Sequence, residues 1–148
     1  MTRSVTFTVP LPPAALHPNS RAHWRTKANA RSAYRRDVYL SVLEQHDPDP
    51  NFERARISLL FKTRTAHQHD IDGLISSAKA LVDTLCMPAH RTDPTPRLGI
   101  IWDDSPRYLT WGDVRAEKAL KGERPCVVVT LTETESHHPR PAGMGKGE

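Results

Sequence analysis

The sequence predicts a single-domain α+β fold (mixed α/β), and three observations predict it. Stretches with apolar residues at every second position alternate with stretches in which they recur at three and four. Their order reads β-α-β-α-β-β-β, which suggests a mixed sheet of about five strands with two main helices packed on it. The chain has 148 residues, the length of one domain with one core.

Val5, Phe7 and Val9 alternate with polar residues and read as a half-buried strand closed by Pro10. From Leu11 to Asn19, three prolines in nine positions withhold the N–H groups that a ladder needs, so this stretch is a loop. Ser20 is a candidate cap for the helix that follows. From about Thr26 to Gln45, Ala30, Ala33, Tyr34, Val38, Ser41 and Val42 recur at helical spacing, with Arg31, Arg35 and Arg36 mostly on the other side. Asp47-Pro48-Asp49-Pro50 is the expected stop. Ile57, Leu59 and Phe61 mark a second strand running towards His67. Leu74, Ala78, Leu81, Val82 and Leu85 form the apolar stripe of a helix over 74–85. Residues 88–96 are loop. Leu98–Trp102 reads as a short buried strand, Tyr108–Lys118 as an exposed strand or hairpin, and residues 126–131 as the strand that closes the sheet. Residues 1–132 are thus expected to form the domain, and 133–148 a disordered polar tail rich in Pro and Gly.

Composition excludes several classes. Cys86 and Cys126 are the only cysteines, which leaves no disulfide framework and no CxxC zinc pattern; Cys86 follows an apolar stripe and reads as core. No apolar run approaches the roughly 20 residues of a membrane span, and the N-terminus lacks a signal-peptide core. The expectation is a soluble protein of the cytoplasm without a membrane partner.

Charge is distributed unevenly. Seven of the 21 basic residues and none of the 17 acidic ones lie between Met1 and Arg36, so the other 112 residues hold 14 basic against 17 acidic. Such a segment is either a nucleic-acid-contacting arm or a solvated helix face; a solvated face is the commoner case, and the lack of balancing acid sets the arm level with it. Arg21, Arg25, Lys27, Arg31 and Arg35 are its candidate DNA-backbone contacts.

Clustered carboxylates beside that arm suggest a divalent cation acting on a polyanion. Asp70 and Asp72 are two residues apart; on extended chain both would face one side, roughly 6.6 Å apart. The alternative is that Asp72 caps the helix beginning near Leu74, which leaves an oxygen free. Asp103-Asp104 ends the apolar Ile100-Ile101-Trp102 and is followed by Ser105-Pro106, so an Asp-rich turn is the alternative there. Two carboxylates about 4 Å apart repel by about 4 kcal/mol at an effective dielectric near 20. Gathering three therefore calls for a cation or raised pKa values. Oxygen-only ligands favour Mg²⁺, with Mn²⁺ as a substitute. Lys79, seven residues after Asp72, would reach back towards the carboxylates or a phosphate, or else pair with Asp83 at i+4. His67 and His69 offer a rival zinc site, but alternation sets them opposite Asp70 and Asp72. His17, His23 and His90 carry no signature and read as surface residues.

In these motifs the chain resembles the RusA family of Holliday-junction resolvases, especially the forms common in bacteriophages. The resemblance covers about residues 5–132. It rests on Leu11-Pro12-Pro13, Asn19-Ser20 and His23-Trp24-Arg25, on Asp70-x-Asp72-Gly73-Leu74 with Lys79-Ala80-Leu81-Val82-Asp83-Thr84-Leu85, and on Trp102-Asp103-Asp104-Ser105. It implies a homodimeric, Mg²⁺-dependent endonuclease that nicks four-way DNA junctions symmetrically in recombination and repair. Asp70, Asp72 and Asp104 would be its essential carboxylates, with Lys79 assisting; beyond the resemblance, Asp103 beside Asp104 is expected to adjust or share a ligand position. Gly73 stands where the family commonly has Asn, His67-Gln68-His69 replaces a run of arginines, and Lys79 lies about three residues later than in the best-known member. The first two departures support the alternative, a junction-binding module with weak or no turnover. A hydrolase of free nucleotides is disfavoured by the basic arm.

Overall fold

The computed structural model describes residues 3–46, 51–65, 70–88, 92 and 94–134. Four strands form the sheet: β1 (Ser4–Val9), β2 (Ala55–Thr63), β3 (Leu109–Lys118) and β4 (Cys126–Glu133). They lie in the order β1-β4-β2-β3, with β4 antiparallel to both neighbours and β2 parallel to β3. Alternation sets the faces. Phe7, Val9, Ile57, Leu59, Phe61, Val127, Val129 and Leu131 are buried on one side, while hydroxyls pair across the other, Thr6 with Thr130 and Ser4 with Thr132. The helices share a single core with the apolar face.

The fold is α+β as expected, with four strands rather than five and three α-helices rather than two among the described residues: α1 (Trp24–Gln45), α2 (Ile71–Ser77) and α3 (Lys79–Leu85). The missing strand is the Leu98–Trp102 segment. Its donors go to a helix end instead: Leu98 N–H to Thr84 O, Gly99 N–H to Cys86 O, and Ile100 and Ile101 N–H both to Leu85 O, at 2.8–3.1 Å. Carbonyls at the end of α3 have no partner within the helix, so the segment satisfies them and is used up doing so. Among the described residues, only isolated bridges, Ile101 to Phe52 and to Cys86, join it to other extended chain. Leu98, Ile100 and Ile101 are buried as predicted, but Trp102 is exposed.

The predicted 74–85 helix starts earlier, at Ile71, and breaks at Ala78. There the N–H is shared by Leu74 O and Ile75 O, each 3.1 Å away, which tightens the turn. The Ser77 hydroxyl donates to Leu74 O at 2.8 Å and competes with the regular ladder. All five stripe residues are nevertheless buried. With the capping segment, α2 and α3 make the crossover that a parallel β2–β3 pair requires.

Helix α1 begins at Trp24, capped by His23, whose Nδ1 accepts from Arg25 N–H; Ser20 instead accepts from Ala22 N–H. Tyr34, Val38 and Val42 are its buried stripe, whereas Ala33, expected on that face, is exposed. The Tyr34 hydroxyl donates to Pro10 O at 2.6 Å, and burial, then the Asp37 carboxylate, push its ionisation up. At the other end of the helix, the Gln45 amide accepts from Thr8 N–H at 2.8 Å and donates to Thr8 O at 2.7 Å. That contact covers part of an open sheet edge.

Strand β3 is the other edge, a single exposed strand with a bulge: between Ile57↔Trp111 and Leu59↔Val114, β2 advances two residues and β3 three. Strand β4 runs two residues past its predicted end. No helix among the described residues is long and apolar enough to cross a membrane. The predicted helix stop at 47–50 and the tail beyond Thr134 lie outside the described residues.

Candidate functional site

Lys27, Arg31 and Arg35 stand four residues apart on α1, so a helix must carry them on one stripe. That stripe faces the α2–α3 junction and the loop after the short 3-10 turn Ala14–Leu16. Between them lies a cavity of about 420 Å³ lined by Lys27, Arg31, Arg35, Ser76, Lys79 and Asp83, among others. Arg35 is held by Asp83, Nη2 to Oδ2 at 3.0 Å, with both side chains mostly buried. Its Nε is buried without a hydrogen-bond partner among the described residues. A second cavity of about 300 Å³ adjoins the first and is lined by Asp70, Asp72, Gly73 and Asn19. Both are also walled by His17, Pro18 and Ser76, which makes them one groove, cationic in one half and anionic in the other.

The carboxylate half is built on a helix start. Asp70, not Asp72, is the cap of α2: its Oδ2 accepts from Gly73 N–H at 3.1 Å, and its backbone has the extended φ of −73° and ψ of 130° that a cap needs. Asp72 follows in the first turn. The two therefore do not share one face of an extended strand. They instead crowd the end of the helix where N–H groups favour negative charge. Capping engages one oxygen of Asp70 and leaves Oδ1 to face solvent or a ligand.

Asp103 and Asp104 lie elsewhere, at the C-terminal end of α3, where the capping segment delivers them. Partial burial of its carboxyl, then a hydrogen bond with Asp103 and the charges of Asp103 and Asp83, push Asp104 above the usual carboxylate range. The same three carboxylates surround Cys86, whose thiol burial, foremost, and their charges push up to about 12. Cys86 is buried as expected. Arg97 anchors this corner by donating to Asp83 O at 3.0 Å.

The groove thus gathers Lys27, Arg31, Arg35 and Lys79 at one end and Asp70 with Asp72 at the other. It does not gather everything expected. Lys79 opens α3 and lines the cationic cavity rather than the carboxylate one. Asp104 and Asp103 line neither cavity, and among the described residues no three acidic, histidine or cysteine side chains converge on one metal position. Two carboxylates still fit Mg²⁺, which takes one or two from the protein and completes its shell with water and phosphate. Arg21 and Arg25 lie outside both cavities, and Arg25 stacks its guanidinium 5.3 Å from the ring of the exposed Trp24. His67, His69 and His90 lie outside the described residues. Sequence reasoning missed Asp83, taken only as an i+4 partner of Lys79; its actual partner, Arg35, is 48 residues away. It also missed His17 as a groove residue, for which no local signal existed.

Compared with known proteins, the chain matches no family model and no curated protein.

Proposed function

We propose that this protein is a Mg²⁺-dependent, structure-selective DNA endonuclease that resolves four-way junctions by paired, symmetric nicks. The observation that carries the reading is the groove. Four cationic side chains line one half, offset by a single acid that one of them already binds, and two carboxylates line the adjoining half. A phosphodiester backbone laid along it would meet Lys27, Arg31 and Lys79 before reaching Asp70 and Asp72. The cations would neutralise phosphates without reading bases, as a structure-selective protein requires. Asp70, through the oxygen its cap leaves free, and Asp72 would hold Mg²⁺, with Asp104 and Asp103 as further carboxylates of the active assembly. When bound, Mg²⁺ supplies stabilisation of the charge that develops on the scissile phosphate. The residues around it orient the strand: Arg31 and Lys27 hold its backbone, and Lys79 contacts a neighbouring phosphate.

Two copies of the chain are needed to nick two strands of like polarity, and a closed two-fold dimer provides them. The reading is tested by incubating the protein with a synthetic four-way junction and with linear duplex, each with and without Mg²⁺. Junction-selective, metal-dependent cleavage is expected; indifference to Mg²⁺ or to branching overturns it. A second reading, a junction-binding module without turnover, is favoured by the failure of three carboxylates to converge among the described residues. It predicts tight junction binding with no cleavage in the same experiment.

A further inference from the structure

His17 sits where the two halves of the groove meet, an exposed residue whose ring and backbone are both hydrogen-bonded. Pro18 follows it and restricts its backbone, which adopts φ −67° and ψ 140°. The His17 N–H donates to Ala14 O at 3.1 Å, and its carbonyl accepts from Ser20 N–H at 2.9 Å. The ring is anchored as well: Nδ1 accepts from Asn19 N–H at 3.2 Å. A neutral imidazole has one N–H and one lone-pair nitrogen, so a donor aimed at Nδ1 puts the proton on Nε2.

Nε2 lies beside Gly73 in the first turn of α2. A Cβ built on Gly73 would lie 3.8 Å from His17 Nε2 and 3.6 Å from Asp70 Oδ2, so the two atoms flank the first turn of α2 across a side chain that glycine omits. Among the described residues nothing accepts from Nε2.

We propose that His17 is a phosphate-binding residue, its Nε2–H donating to a non-bridging oxygen of the phosphodiester lodged beside Asp70 and Asp72. The geometry argues against the two other roles a histidine plays near carboxylates. A metal ligand needs the Nε2 lone pair, with the proton on Nδ1, the reverse of what Asn19 imposes. A general acid must release its proton completely. With Nδ1 occupied by a donor, loss of the Nε2 proton would leave an imidazolate, so the group shares its proton rather than transferring it. What remains is a hydrogen-bond donor placed before the reaction, facing an oxygen on which negative charge grows. The inference rests on the nuclease reading for its substrate but not for its geometry.

The test has two arms. In the first, ¹⁵N–¹H correlation spectra of the intact protein's imidazoles, with His17 assigned by its loss in His17→Ala, are recorded with and without dithymidine monophosphate, which carries one phosphodiester. The expected result is a ring protonated on Nε2, with that nitrogen shifting as the dinucleotide is added. A proton on Nδ1, or an Nε2 signal that ignores the dinucleotide, overturns the proposal. In the second arm, four-way junction cleavage is measured for wild type, His17→Ala and His17→Gln over a range of Mg²⁺. Removing one such donor slows cleavage on the order of a hundredfold, the half-maximal Mg²⁺ stays unchanged, and Gln, which keeps an N–H donor, restores part of the rate. Normal cleavage by His17→Ala, or a raised Mg²⁺ requirement, overturns the assignment. If wild type cleaves nothing while Nε2 responds, the nuclease reading fails and the phosphodiester contact stands; if it cleaves while Nε2 stays silent, His17 alone was misassigned.

Discussion

Asp70 has one duty in the structure and a second that we propose, and substitution can tell them apart. It caps α2 through Oδ2, and the residue lines the groove. Asn caps as well as Asp, whereas Ala does not, and losing a cap costs about 1 kcal/mol. Asp70→Asn is therefore expected to unfold in urea at nearly the wild-type midpoint, and Asp70→Ala at a lower one. Both are expected to lose junction cleavage by orders of magnitude while keeping junction affinity. Nearly normal cleavage by Asp70→Asn at limiting Mg²⁺ removes Asp70 from the metal site. Asp104 differs in kind, because its folded-state pKa is raised. A raised carboxylate pKa means that the folded state holds its proton longer than the unfolded one. Stability then falls as pH climbs from the ordinary carboxylate range through the raised value. Metal-free Asp104→Asn is expected to be more stable than wild type at neutral pH, with the gap closing in acid. A gap that persists unchanged at low pH rules out the titration of Asp104 as its source.

At the scale of elements, the capping segment decides where Asp103 and Asp104 stand. It turns through Gly99 at φ 71°, where a side chain is strained by about 1–2 kcal/mol, and a Cβ there would also lie 2.9 Å from Met87 Sδ. Gly99→Ala is expected to lower stability by at least that amount and to weaken cleavage without changing the salt dependence of binding, since the cationic stripe is on α1. Loss of stability with cleavage intact would detach Asp103 and Asp104 from the chemistry. Far from the groove, the end of β2 is tied to the turn before β4 by Lys62 and Glu123, 2.6 Å apart. Their hydrogen bond, the first cause for each, lowers the Glu123 pKa and raises that of Lys62. Stability from the pair is thus present between the two ordinary ranges, lost as pH falls through the lowered carboxylate value and lost again as it rises through the raised ammonium one. Glu123→Gln is expected to unfold more readily than wild type at neutral pH and equally in strong acid; a difference surviving in acid would exclude the ion pair as its cause.

At the scale of the whole molecule, the question is how an excess of positive charge meets a polyanion. Each phosphate contact contributes roughly −0.9 to the slope of log affinity against log salt on duplex DNA. Replacing Lys27 and Arg31 with Ala should flatten that slope by about one to two units; Arg21 and Arg25, outside the groove, should move it less. A slope that does not change returns the stripe to the status of a solvated helix face. If nicking is paired, as we propose, the assembly follows: sedimentation should give about twice the 16.7 kDa chain mass, and a plasmid carrying an extruded cruciform should be linearised in one encounter. A stable monomer that nicks one strand at a time leaves a general nicking nuclease as the better description.

What the sequence determined by itself was whatever depends on spacing along the chain. Alternation at Phe7 and Val9, at Ile57, Leu59 and Phe61, and in residues 126–131 identified three strands and their buried faces, because a strand turns successive side chains to opposite sides. Three- and four-residue spacing identified Tyr34, Val38 and Val42, and Leu74, Ala78, Leu81, Val82 and Leu85, for the equivalent reason in a helix, whereas Ser77, Ala80 and Thr84 are buried outside that stripe. The crowding of basic residues ahead of Asp37 was legible as simple counting. Tertiary structure alone decided which groups meet. The segment 98–101 looks like a strand by composition, and it became the cap of α3 because the carbonyls of Thr84, Leu85 and Cys86 reached its donors first. Asp70 rather than Asp72 became the helix cap, Asp83 bound Arg35 rather than Lys79, and His17 came to face Gly73. Burial follows a period that each element carries within itself. The partner of a donor or a charge depends on what folding brings from far along the chain, and no local spacing records that.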